Sequence, residues 1–187
     1  MKIIGGTFRG RNFFMPQGVR PTQDKTRKAI FDIIGQDLEG MVFLDLFAGS
    51  GAVGLEAVSR GAKRVIFVEN DPRCVEVLQD NLTALNIASL KEGAFFYRVI
   101  CADVFFTTKR FHKESERFDI IFSDPPYGRD LAKKTLKTLG AYDILSANSL
   151  IIVQHDKREI LPDCEGRIFR IREKKYGDSL LSIFQSQ

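Results

Sequence analysis

Asp45-Leu46-Phe47-Ala48-Gly49-Ser50-Gly51-Ala52-Val53-Gly54 is the stretch that decides the fold of this chain. The run leading into it, residues 42 to 47, is apolar except for Asp45, which suits a short strand buried on both faces. Glycines at 49, 51 and 54 then let the backbone turn sharply and approach a ligand with no Cβ in the way. Residues 53 to 59 resume as a helix. A strand that turns through glycines into a helix is the first half of a βαβ unit, and it predicts a parallel sheet covered by helices.

Outward from this loop the pattern repeats. Residues 65 to 68, 95 to 100, 118 to 122 and 150 to 153 read as further strands, and 72 to 85 and 131 to 139 as helices, the first with Pro72 in its opening turn. Polar residues gather where strands end: Glu69 after the second, Asp103 after the third, Asp124-Pro125-Pro126-Tyr127 after the fourth. Residues 167 to 173 and 180 to 184 alternate around Tyr176-Gly177-Asp178, which predicts a closing antiparallel hairpin. On the N-terminal side, residues 2 to 4 and 9 to 14 flank Gly5-Gly6-Thr7 and predict a small hairpin. Pro16 and Gly18 break the chain before a helix that Thr22 or Asp24 caps and that runs to about Ile34. Its apolar positions Ala29, Ile30, Ile33 and Ile34 share one face, and Lys25 and Lys28 stand on the other. The expected organisation is an N-terminal basic extension over residues 1–40 and an α/β, Rossmann-like catalytic domain over 41–187.

With 187 residues the chain holds one core and lacks the length for a sizeable second recognition domain. Hydrophobic residues at 44% and charged residues at 28% exclude the disordered and membrane classes. Neither a signal-like apolar run nor a membrane-spanning one occurs, so a cytoplasmic protein without a membrane partner is expected. Cys74, Cys101 and Cys164 are odd in number and widely spaced, as in reduced thiols, and rule out a CxxC motif. His112 and His155 have no ligand at helical or strand spacing, so no metal is expected. The net charge of +4 is unevenly spread. Residues 1–28 hold seven basic side chains against Asp24, a balance of +6, whereas the other 159 hold 21 basic and 23 acidic groups, a balance of −2. Such a concentration fits a phosphate-contacting surface, with Arg9, Arg11, Arg20, Thr22, Lys25 and Lys28 as candidate RNA contacts; a merely solvated basic face is the competing reading.

Gly49 to Gly54 also satisfies G-x-G-x-x-G, so a nicotinamide dinucleotide has to be weighed. Asp45 argues against it, because a carboxylate beside the loop suits the cationic amino group of a methionine moiety better than a pyrophosphate. Glu69 is placed to accept the hydroxyls of a ribose, and Asp103 is either a cap for a helix starting at Val104 or an adenine contact. Asp124-Pro125-Pro126-Tyr127 argues more strongly, since no hydride-transfer chemistry asks for it. An exocyclic amine on a base has its lone pair delocalised into the ring, and it attacks only when acceptors hold its hydrogens. Asp124 offers a carboxylate oxygen, Pro125 a carbonyl on a stiff turn, and Pro126 further rigidity. These acceptors favour the positive charge that grows on the nitrogen in the transition state. Tyr127 offers a face on which an unstacked base can lie.

On these residues the chain resembles the RsmD-type family of small-subunit (16S) ribosomal RNA guanine-N2 methyltransferases. The resemblance runs through Ile3-Ile4-Gly5-Gly6-Thr7-Phe8-Arg9-Gly10, Arg20-Pro21-Thr22, Arg27-Lys28-Ala29-Ile30-Phe31, the loop from Asp45 to Gly54, Glu69, Asp124 to Tyr127 and Tyr176-Gly177-Asp178. Gln23, where relatives often carry Thr or Ser, and the Lys174-Lys175 pair depart from the pattern. The resemblance implies a class I methyltransferase fold with a seven-stranded sheet, S-adenosyl-L-methionine as cofactor and S-adenosyl-L-homocysteine as product. It places the cofactor on Asp45, Phe47, Gly49, Gly51, Glu69, Asn70, Asp103 and Val104, with Tyr176 beside the RNA. It further implies 16S rRNA within the small ribosomal subunit as partner, engaged by a monomer. Three other readings compete: a DNA adenine-N6 methylase, an NAD-dependent oxidoreductase and a non-catalytic RNA-binding module.

Overall fold

In the computed structural model, which describes residues 1–16, 24–87 and 95–187, strands and helices alternate along the chain. The order is α1 (Asp24–Ile34), β1 (Val42–Leu46), α2 (Ala52–Ser59), β2 (Arg64–Glu69), α3 (Pro72–Ala84), β3 (Phe96–Cys101), α4 (Val104–Lys113), β4 (Phe118–Ser123), α5 (Leu131–Ala141), β5 (Leu145–Asp156), β6 (Cys164–Glu165), β7 (Ile168–Tyr176) and β8 (Ser179–Ser186). They build one sheet in the spatial order β3-β2-β1-β4-β5-β8-β7-β6. The first five strands are parallel, and β8, β7 and β6 follow antiparallel. The order turns back on itself between β1 and β4, which opens a crevice beyond their carboxyl ends.

Alternation along each strand assigns side chains to two cores. Phe43, Val65, Phe67, Ile120 and Phe122 face one way and pack with α1, α2 and α3. Leu44, Ile66, Val68, Ile121 and Val153 face the other and pack with α4 and α5. Strands buried on both sides explain why their sequences are nearly continuous apolar runs.

Three details differ from the sequence reading. The seven strands of the implied fold are joined by an eighth, the two-residue β6, where Gly166 at φ 60° turns the chain back into β7. Strand β1 stops at Leu46, because Phe47 adopts φ 58°, a left-handed conformation few non-glycine residues take. Strand β5 is twelve residues long rather than four, since β8 pairs with it out to Asp156↔Ser179. Helix α4 runs over Val104–Lys113 from the Asp103 cap that the sequence offered, although its Phe and Thr residues are indifferent helix formers. Tertiary burial of Val104, Thr107, Thr108 and Phe111, at helical spacing, stabilises it instead.

The N-terminal hairpin reduces to a single antiparallel bridge, Lys2↔Asn12. It is sewn to α2: Ser59 Oγ donates to Gly5 O and accepts from Phe8 N–H, and Ile4 N–H donates to Glu56. Arg27, read from sequence as part of a basic surface, is fully buried. Its guanidinium donates to Lys2 O and Asp24 and lies over the Phe13 ring, so that charge holds the extension to the core rather than facing solvent. Among the described residues no helix is long and apolar enough to cross a membrane.

Candidate active site

A cavity of about 650 Å³ fills the crevice beyond β1 and β4. Its β1 wall, completed by Glu69 at the end of β2, is built from carboxylates tied to backbone. Asp45, 1% exposed, accepts from Gly54 N–H through Oδ2 at 2.8 Å. Glu69, 8% exposed, accepts from Gly49 N–H at 2.8 Å through Oε2 and from Asn70 and Asp71 N–H through Oε1 at 2.8 and 2.9 Å. Two glycines make this packing feasible. Gly51 sits at φ 82° with Leu78 where a Cβ would go, and at Gly54 a Cβ would strike the Phe67 ring.

The β4 wall carries Asp124, Pro125, Pro126 and Tyr127, all of which line the cavity. Tyr127 Oη lies 2.9 Å from Ser179 Oγ and accepts from Gln154 Nε2 at 3.1 Å. This ties the loop after β4 to β5 and to the β7–β8 turn, whose Tyr176, Gly177 and Asp178 close the cavity.

Charge in the cavity is one-sided. Asp45, Glu69, Asp71, Asp124 and Asp178 line it, and among the described residues no lysine, arginine or histidine does. Arg73 and Lys157 pair with Asp71 and Asp178 respectively. Burial, then the neighbouring charges of Asp124 and Glu69, hold the Asp45 carboxyl well above the usual carboxylate range, and the Gly54 hydrogen bond only partly offsets them. Such a socket rewards a cation. It also rejects a pyrophosphate, because the Gly49 and Gly54 N–H groups at the helix start are already spent on carboxylates. Cys74 lines the cavity as well, but burial pushes its thiol up to about 11, so it is no nucleophile at neutral pH.

Of the cofactor candidates, Asp45, Phe47, Gly49, Glu69 and Asn70 line the cavity and Gly51 packs behind it. Asp103 and Val104 do not line it: Asp103 Oδ1 caps α4 by accepting from Phe106 N–H at 2.8 Å, and Val104 is buried in the core. Of the RNA candidates, Tyr176 lines the cavity, while Arg9, Lys25 and Lys28 are exposed away from it. Arg11 has a structural task, donating to Ala84 and Leu85 carbonyls at the end of α3. Arg20 and Thr22 lie outside the described residues. Sequence reasoning missed Gln154 and Ser179. Gln154 was detectable, as the polar break at the carboxyl end of an apolar strand, the same signal that exposed Asp45 in β1.

The chain is similar to known proteins. A family model described as "Conserved hypothetical protein 95" matches residues 1–185. "Putative rRNA methyltransferase YlbH" of Bacillus subtilis (strain 168) is 34% identical, with 100% of both chains covered. "Ribosomal RNA small subunit methyltransferase D" of Escherichia coli (strain K12) is 32% identical over 100% of this chain and 90% of its own length. A solved structure of a hypothetical protein from Thermus thermophilus is 33% identical and superposes with a TM-score of 0.82 over 98% of each chain.

Proposed function

Since the chain belongs to the RsmD-type family of methyltransferases, we propose that it methylates the exocyclic N2 amine of a guanine in small-subunit (16S) ribosomal RNA, using S-adenosyl-L-methionine. The observation that carries this reading is the meeting, in one acid-lined cavity, of Asp124 to Tyr127 with the Asp45 and Glu69 carboxylates.

The cavity fits the cofactor. Its buried carboxylates and, among the described residues, the lack of lining cations match a molecule bearing an ammonium and a sulfonium. Asp45 would take the ammonium, the turn at Gly49 the methionine portion, and Glu69 the ribose hydroxyls, with Phe47 and Asn70 near the adenine. Asp103 would use its second carboxylate oxygen beside Val104. When bound, S-adenosyl-L-methionine supplies an electrophilic methyl carbon and is converted to S-adenosyl-L-homocysteine.

The chain's own residues do the rest. Asp124 and the Pro125 carbonyl accept the two amine hydrogens, which biases the nitrogen toward pyramidal geometry and frees its lone pair. Both acceptors bind the cationic nitrogen of the transition state more strongly than the neutral amine, and Asp124 then accepts the released proton. Tyr127 stacks the base, held by Ser179 and Gln154, and orientation supplies a further share of the rate. Exposed Arg9, Lys25 and Lys28, with Arg20 and Thr22, contact RNA phosphates. A DNA adenine amine would suit the same tetrapeptide, but the full-length likeness to rRNA methyltransferases favours RNA.

Mass mapping of ribosomal RNA from cells lacking this protein tests the reading, with one guanine expected to lose a methyl group. Purified Asp124→Ala protein is expected to lose about 10²- to 10⁴-fold in turnover while retaining cofactor affinity. Unmodified turnover in that variant, or an rRNA methylation pattern unchanged by the deletion, overturns it.

A further inference from the structure

The structure moves the weight of positive charge to a face the sequence did not single out. Of the seven basic side chains in residues 1–28, Arg27 is buried and Arg11 is spent on the end of α3. Helices α1, α2 and α3 together carry four basic and five acidic residues, a balance of −1. Helices α4 and α5, on the opposite side of the sheet, carry Lys109, Arg110, Lys113, Lys133, Lys134 and Lys137 and no acid, a balance of +6.

The two helices lie side by side in the same direction. Near their starts, Lys134 Nζ sits 3.9 Å from the centre of the Phe105 ring; near their ends, the His112 and Tyr142 rings are 5.7 Å apart and Asp143 N–H donates to His112 Nδ1. Lys109 and Lys113 continue the stripe that begins at Phe105, at intervals of four, and Lys137 follows Lys133 in the same way. Arg110 pairs with Glu114. The five lysines are exposed, and among the described residues none of their ammonium groups is in an ion pair; Glu159 accepts from the Lys133 backbone N–H at the start of α5. Both helices begin at the crevice end of the sheet, α5 directly after the loop that carries Asp124 and Tyr127. Phe106, 66% exposed, adds an aromatic ring to the first turn of α4.

We infer that the α4/α5 face is a second RNA-binding surface, which takes the phosphate backbone of the strand flanking the target base while Lys25 and Lys28 hold RNA on the other side of the crevice. The inference rests on the proposed RNA substrate and deepens it. Two like-charged helices packed together carry a repulsive cost that a polyanion relieves, and clusters of lysines outside ion pairs bind phosphate irrespective of base. A protein partner would instead call for apolar anchors at the centre of the face, and lysines occupy that centre.

The test is binding of an in vitro transcript of small-subunit ribosomal RNA to the full chain, measured across a potassium chloride series. The wild type is measured first, on the transcript and on assembled small subunits: if it binds neither, the substrate reading fails and this inference with it. The variant K109Q/K113Q/K137Q is expected to bind about tenfold or more weakly at 0.1 M salt and to lose about 2 from the slope of log K against log salt, three contacts at roughly 0.7 each. Its cofactor affinity should match the wild type and its unfolding midpoint should be no lower, since none of the three lysines touches the cavity or the core and their removal relieves the repulsion between the helices. Unchanged RNA affinity and slope, with loss confined to K25Q/K28Q, would overturn the inference. So would normal binding of the bare transcript combined with slower methylation of the assembled subunit, because that outcome assigns the face to a ribosomal protein.

Discussion

The loops that follow β1 and β4 face each other across one cavity, but they are held by different kinds of bond. After β1, with the end of β2 beside it, the carboxylates of Asp45 and Glu69 accept from the backbone N–H groups of Gly54, Gly49, Asn70 and Asp71, and both acids are buried. After β4, the Tyr127 hydroxyl is held by side chains, Ser179 and Gln154, and the residue is 37% exposed. Backbone anchors cannot shift without undoing the start of a helix, whereas a side-chain anchor releases with a rotamer change. The difference suits the two clients: a small cofactor gains from a socket formed in advance, and a base attached to a large RNA needs a wall that can open.

The largest expected effect attacks the rigid wall. In Gly54→Ala the new methyl group strikes the Phe67 ring and comes within 2.9 Å of Asp45 Oδ2. Overpacking of this kind costs about 1–3 kcal/mol, and it also displaces the carboxylate that would hold the ammonium. Calorimetric titration should find cofactor affinity down by roughly thirtyfold, equivalent to about 2 kcal/mol. Gly128→Ala, just beyond the opposite wall, meets nothing within 4 Å and carries only the strain of φ 78°. That variant should keep its cofactor affinity within about threefold while losing roughly 1–2 kcal/mol of stability. Equal losses of affinity in the two variants would erase the contrast between the loops.

The rigid wall was also the legible one. Asp45 inside an apolar run, glycines at fixed offsets and Glu69 at the next strand end are all signals readable within one βαβ unit, which also contains every backbone-to-carboxylate bond of this wall. The other wall was half legible. Asp124 to Tyr127 announced itself as a tetrapeptide, but its latch joins positions 127, 154 and 179, which meet only because β8 returns antiparallel to β5. The basic extension misled for a similar reason. Nothing local marks Arg27 as buried or Arg11 as a cap for α3, and the lysine face that α4 shares with α5 emerges only when both helices pack on the sheet.

A second, smaller effect concerns pH. Asp45 is held above the usual carboxylate range by burial and by Asp124 and Glu69, so it is protonated over a window in which an exposed aspartate is ionised. Cofactor ammonium favours the ionised form, and affinity should therefore rise with pH through that window, by at most tenfold per pH unit for a single proton, with release of that proton on binding. Stability of the free protein runs the other way. The folded state binds more protons than the unfolded one between the two pKa values, so stability falls as pH rises from the ordinary value through the raised one. Titrations in buffers of different ionisation enthalpy should show proton release in the wild type and none in Asp45→Asn. Proton release that persists in that variant would move the linkage to another group.

The smallest effect separates the latch from the ring it holds. Tyr127→Phe keeps the aromatic face but removes the hydroxyl that meets Ser179 and Gln154, leaving the Gln154 amide, 8% exposed, without its acceptor. A neutral hydrogen bond of this kind contributes about 0.5–1.5 kcal/mol. Turnover should fall only a few-fold, with cofactor affinity unchanged, since none of the three residues belongs to the β1 wall. Tyr127→Ala removes the stacking surface as well, worth about 1–3 kcal/mol per base, and should raise KM for the RNA by a further order of magnitude. If the phenylalanine variant is as impaired as the alanine one, the hydroxyl takes part in the chemistry. The β4 wall would then be as tightly specified as the β1 wall, held by side chains where the other is held by backbone.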